Sequence, residues 1–206
     1  MTGHTATVGV TEHGNSAVLV TVGSDGVLLD RRRFDLTDGL PTHPHHHEGS
    51  WAVGRYRNSP WAREITLGEA IELVGRVREA AASGAQEGLH ALAADVTMPI
   101  ATIAIRTCPE LPKTVEERIR DNRAQTVADT VMYRQALATA AEERGWSVVW
   151  YERDRAFTDA AAALGVEDIN ALLARMGRSI GPPWQARHKL AAAAALAAGC
   201  LESTER

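Results

Sequence analysis

The sequence predicts one α/β domain built on a mixed sheet, an antiparallel meander extended by parallel strands and covered by helices. Three observations carry that prediction. Residues 6–10, 17–22 and 27–36 are aliphatic or β-branched and are separated by short turn signals, which is the pattern of a three-stranded meander. Residues 98–106 form an apolar run with no alternation, as expected of a central strand covered on both faces. Two capping boxes, Thr66 with Glu69 and Thr114 with Glu117, open helices on either side of that run.

Taken in order, the first strand ends in the polar loop Glu12-His13-Gly14-Asn15-Ser16, and Ser24-Asp25-Gly26 supplies a tight turn in which glycine accepts positive φ. Residues 41–63 then interrupt the pattern as an insertion-like segment rich in His, Trp, Pro and Gly, with a short strand expected near 51–56. From Thr66 a helix buries Ile71, Val74, Val77 and Ala81, a stripe at helical spacing. A second helix is expected from Thr114 to about Arg144, stopped by Gly145, and residues 148–151 are the fifth strand. Two short helices follow at 155–164 and 167–176. Beyond Gly181-Pro182-Pro183-Trp184, a last alanine-rich helix should end at Gly199.

The 206 residues and 45% hydrophobic content suit a single core, so residues 1–206 are read as one domain. No apolar run is long enough to cross a bilayer and residues 1–10 lack a secretory pattern, so a cytoplasmic protein without membrane contact is expected. Cys108 and Cys200 stand far apart without metal-ligand spacing and are read as plain thiols. A net charge of −4 argues against coating nucleic acid through the overall field, but leaves room for a local basic patch. Lys113 and Lys189 are the only lysines among 22 cationic residues. The arginines, including consecutive Arg31, Arg32 and Arg33, suit planar contacts to phosphate or carboxylate, or reflect codon bias alone.

Several segments resemble a known family. Val8-Gly9-Val10-Thr11-Glu12-His13-Gly14 is similar to the first strand and turn of bacterial Holliday-junction resolvases, in which an acidic residue ends strand one. The helix closing on Glu142-Glu143-Arg144-Gly145-Trp146 and the segment His188-Lys189-Leu190-Ala191 resemble later elements of the same enzymes. The resemblance implies an RNase H-like mixed five-stranded sheet with helices on both faces. It also implies phosphodiester hydrolysis by two divalent metals held on carboxylates from strand one, strand four and the last helix. Glu12 matches the first position and would hold Mg or Mn, and His188 stands at the last. The strand Ile103-Ala104-Ile105-Arg106 carries no carboxylate, and Glu110, four residues on, is the candidate to replace it. With the set incomplete, hydrolysis is expected to be weak or absent. The alternative for Glu12 is a solvated turn residue.

Three further groups could carry function. His43, His45 and His47 with Glu48 offer imidazole and carboxylate ligands suited to zinc, or form a polar loop between prolines. Arg118, Asn122, Gln125 and Asp129 follow helical spacing and make one polar stripe, either hydrated or in contact with a ligand. Arg187, His188 and Lys189 put cations in a first helical turn, where the macrodipole disfavours them unless an anion lies near. The sequence therefore points to a divergent RNase H-like protein acting on nucleic acid, with Arg118, Asn122, Gln125 and Lys189 as candidate contacts. The alternatives are a noncatalytic domain of that fold that binds a protein partner or its own copy, and a metal-binding protein built on the histidine segment.

Overall fold

A computed structural model describes residues 4–46 and 65–204. The meander is β1 (Ala6–His13), β2 (Ser16–Gly23) and β3 (Leu28–Asp35). Next come α1 (Leu67–Asp95), β4 (Ile100–Arg106), α2 (Val115–Arg120), α3 (Asn122–Glu142) and β5 (Ser147–Tyr151). Three helices close the chain: α4 (Ala156–Leu164), α5 (Ile169–Ile180) and α6 (Ala186–Thr204). The five strands form one sheet in the order β3-β2-β1-β4-β5. β1 pairs antiparallel with β2 and parallel with β4, and β5 extends the sheet parallel to β4. The first strand is thus central, as the resemblance implied.

Both faces of the sheet are covered. Val8, Val10 and Ile103 pack with Val77, Leu89 and Leu92 of α1 and with Tyr133 and Leu137 of α3. On the other face, Val20, Val22 and Ala104 pack with α4, α5 and the alanines of α6. Each fully buried Val or Leu contributes roughly 1.5–3 kcal/mol relative to exposure, so the two helical layers hold the sheet between them. The close approach of α6 depends on Gly9: a Cβ there would lie 1.8 Å from the carbonyl oxygen of Ala191.

Both capping boxes form, the side chain of Thr66 accepting from the Glu69 N–H and that of Thr114 from the Glu117 N–H. The helix expected from Thr114 to about Arg144 is two helices. Asp121 separates them: its N–H donates to the Glu117 carbonyl and closes α2, while its carboxylate accepts from the N–H groups of Arg123 and Ala124 and opens α3. One side chain that serves as a good N-cap inside a helical pattern is enough to restart it. The last helix passes through Gly199 instead of stopping there. Gly199 faces Thr7, so its lack of a side chain serves close packing against β1. The strand expected near residues 51–56 lies outside the described residues.

Candidate functional site: an arginine-lined cleft

The parallel strands β1, β4 and β5 end on the same side of the sheet, and the first turn of α6 meets them there. Thr11, near the end of β1, donates its hydroxyl to the carbonyl of Arg187 at 3.3 Å. A cleft of about 570 Å³ opens at this junction. Arg33, Arg106, Arg153 and Arg187 line it, together with His43 and the β1–β2 turn from Glu12 to Ser16. Below it, the buried Tyr151 hydroxyl donates to the Val10 carbonyl at 2.8 Å, and burial pushes that phenol's pKa up.

Glu12 is the carboxylate of the cleft, and it is already engaged. Nε of Arg134, on α3, donates to Glu12 Oε1 at 2.8 Å, and Nη2 donates to the same oxygen. The remaining guanidinium nitrogen, Nη1, donates to the Thr107 carbonyl at 2.7 Å. Both side chains are 5% exposed. A buried ion pair of this kind resists opening, because separating it leaves a charge in a poorly solvated place. Cys108 lies in the field of this pair; burial raises its thiol pKa while Arg134 pulls it the other way.

His188 caps its own helix. It is the third residue of α6, and its Nδ1 accepts the N–H of Gln185 at 3.0 Å, an N-terminal cap made by an imidazole. Because a backbone N–H only donates, Nδ1 carries no proton, and the neutral ring bears its hydrogen on Nε2. The ring stacks on Trp184 with centroids 5.8 Å apart. Burial, followed by the charge of Arg31, lowers its pKa below the ordinary histidine value. Glu110 is exposed in the loop after β4. Among the described residues no three His, Cys, Asp or Glu side chains group to hold a metal ion, so Glu12, Glu110 and His188 do not form a joint ligand set.

The histidine segment is described as far as His46, while His47 and Glu48 lie outside the described residues. His45 is buried, and its Nδ1 is 2.6 Å from Oδ1 of Asp129, which also accepts the His45 backbone N–H at 3.1 Å. Nε2 of His45 is buried without a partner among the described residues. His43 Nδ1 is 3.6 Å from the other carboxylate oxygen. Burial alone would raise the pKa of Asp129, but hydrogen bonds from His43 and His45 outweigh it and hold the group below its usual range. Nearby, Tyr133 donates to the Thr42 carbonyl at 2.9 Å, and burial pushes its phenol up to about 12. These contacts fasten the start of the segment to α3.

The polar stripe expected on the helix is therefore divided. Gln125 and Asp129 are buried, Gln125 donating to the Ile119 carbonyl, whereas Asn122 is exposed. Arg118 turns back to donate to the Pro112 carbonyl at 2.7 Å. Lys189 is half-buried in the first turn of α6 and does not line the cleft. Sequence reasoning passed over Arg134, Arg106 and Arg153. A signal for Arg134 was present: its helical neighbours Val131, Leu137 and Ala138 are apolar, and an arginine on a core face calls for a buried partner.

No family model and no curated protein matches this chain. Among solved structures, the chain is similar to T. thermophilus RuvC in complex with a Holliday junction substrate, with a TM-score of 0.51 and 16% identity over 98% of this chain and 96% of that one. A second Thermus thermophilus RuvC structure aligns with a TM-score of 0.46 and 14% identity, over 97% and 96% of the two chains. The chain has the RNase H-like fold. At this identity the likeness speaks for the fold, and the chemistry has to be argued from the cleft.

Proposed function

We propose that this protein binds nucleic acid with an RNase H-like fold and lacks the metal-dependent phosphodiester hydrolysis associated with that fold. The observation that carries the proposal is the Glu12–Arg134 pair. A divalent metal at the end of β1 needs that carboxylate's charge and lone pairs, and the Arg134 guanidinium already neutralises the charge and holds one of its oxygens, Oε1. The residues present do not fit a two-metal centre: no carboxylate stands on β4, and His188 is committed to capping α6. The cationic cleft favours the nucleic-acid half of the reading, since phosphates are the polyanions that clustered arginines recognise.

Branched DNA is the first ligand to try, because one solved protein of similar fold is in complex with a Holliday junction substrate. Fluorescence anisotropy with a labelled four-way junction and a single strand, in low salt and EDTA, should show binding that weakens steeply as salt rises. Gel analysis with Mg²⁺ or Mn²⁺ should show little or no cleavage. Brisk cleavage abolished by Glu12→Gln would overturn the noncatalytic reading, and the absence of binding to any nucleic acid at low salt would overturn the other half.

A second reading has its own observation. Trp150 is 44% exposed on β5, an edge strand of the sheet. An exposed tryptophan on an unpaired edge suits a protein partner or a second copy of the chain. Under that reading, sedimentation velocity would give a concentration-dependent dimer that Trp150→Arg dissociates.

A further inference from the structure

The cleft concentrates positive charge to a degree the whole molecule does not share. The chain carries a net −4, yet four of the cleft's lining side chains are arginines and, among the described residues, Glu12 is its only carboxylate. That carboxylate is held by Arg134, which comes from beneath the cleft. Arg33 pairs with Asp35 at 3.1 Å on the exposed rim. No carboxylate pairs with Arg106, Arg153 or Arg187 among the described residues. Gathering guanidinium groups in one recess costs mutual repulsion, and an anion between them relieves it.

We infer that this cleft is a metal-independent phosphate site, in which Arg106, Arg153 and Arg187 hold a backbone phosphodiester of a nucleic-acid strand. The inference rests on the reading that the chain binds nucleic acid, and it locates that binding. Guanidinium groups supply at this end of the sheet the positive charge that metal ions would otherwise bring to a phosphate, and they do so through directed N–H donors. The lining favours a backbone over a free nucleotide. Among the described lining residues, the aromatic groups are Tyr151, with its hydroxyl turned to Val10, and the imidazoles of His13 and His43, and Leu190 is the aliphatic one. The lining offers a base little apolar surface, whereas its four guanidinium groups are suited to phosphates.

The test uses the full chain, a labelled four-way junction, a labelled single strand and, separately, pyrophosphate. The variants are Arg106→Gln and the double Arg153→Gln/Arg187→Gln, both of whose side chains are exposed. A control of equal charge loss is Arg78→Gln/Arg175→Gln, on α1 and α5, outside the cleft lining. In EDTA the cleft double variant should bind DNA about tenfold or more weakly, with a log–log salt slope shallower by about two, while the control stays near wild type. Pyrophosphate should raise the melting temperature of wild type and not of the cleft double variant. If wild type binds DNA and the cleft variants bind it equally well, the inference fails and the nucleic-acid reading stands. If wild type binds no DNA but pyrophosphate stabilises it through these arginines, the cleft is a phosphate site for small anions and the strand assignment is overturned. Stabilisation in neither arm removes the site altogether.

Discussion

Arg134 and Glu12 form a buried ion pair at the edge of the cleft. Each is nearly inaccessible and each satisfies the other, so removing one leaves the other charged in a poor solvent. Arg134→Met should lower unfolding stability by about 3–5 kcal/mol. Glu12→Gln/Arg134→Met should recover much of that, since no charge is then stranded, and a double-mutant cycle from urea midpoints measures the coupling. Asp129 gives a pH-dependent counterpart. Its folded pKa is depressed, so its contribution is complete above the unfolded value near 3.8 and is lost as pH falls through the lower folded value. Asp129→Asn should cost about 1–3 kcal/mol at neutral pH and flatten the acid limb of the stability profile; an unchanged limb would show that the histidines do not hold this carboxylate. The sequence revealed Glu12 as the acidic residue closing strand one. It did not reveal the partner, because Arg134 lies 122 positions away and its pairing depends on how α3 packs over the sheet.

Elements show where local signals suffice and where they do not. The meander, both capping boxes and the central apolar strand were legible because each is set by neighbours within a few residues: β-branched runs, a Thr-x-x-Glu pair, an Asp-Gly turn. The break at Asp121 and the passage of α6 through Gly199 were not, since both depend on competing or tertiary contacts. Asp121 caps better than it continues a helix, and Gly199 is small because β1 lies beside it. The same closeness at Gly9 yields a sharp expectation. A methyl group there meets backbone, which cannot rotate away, so Gly9→Ala should destabilise by about 3 kcal/mol or more by forcing α6 off the sheet. Thermal unfolding reads this directly, and a wild-type melting temperature would contradict the packing. At the start of α6, neutral His188 caps Gln185 and its folded pKa lies below the ordinary 6.5. Its contribution is complete above the unfolded value and declines as pH falls toward the folded one, where the unfolded chain takes up the proton first. Comparing wild type with His188→Gln between pH 7 and about 5 should isolate that decline; parallel profiles would mean the ring does not cap.

For the whole molecule, the arrangement separates fold from chemistry. The sheet order and the helices on both faces are those of the RNase H-like fold, while the cleft at the junction of β1 with α6 is lined by arginines. The sequence showed the fold through the order of its elements and the incomplete acidic set through the bare strand ending in Arg106. It did not show the cleft, because Arg33, Arg106, Arg153 and Arg187 come from β3, β4, the segment after β5 and α6, and only the closed sheet brings them together. Held by Arg134, Glu12 is expected not to ligate a metal. Electron paramagnetic resonance of Mn²⁺ titrated into the protein tests it most directly, because free Mn²⁺ gives a six-line signal that is lost on binding. Wild type should leave the full signal, the same as Glu12→Gln. Stoichiometric loss of signal with wild type, restored by Glu12→Gln, would contradict it.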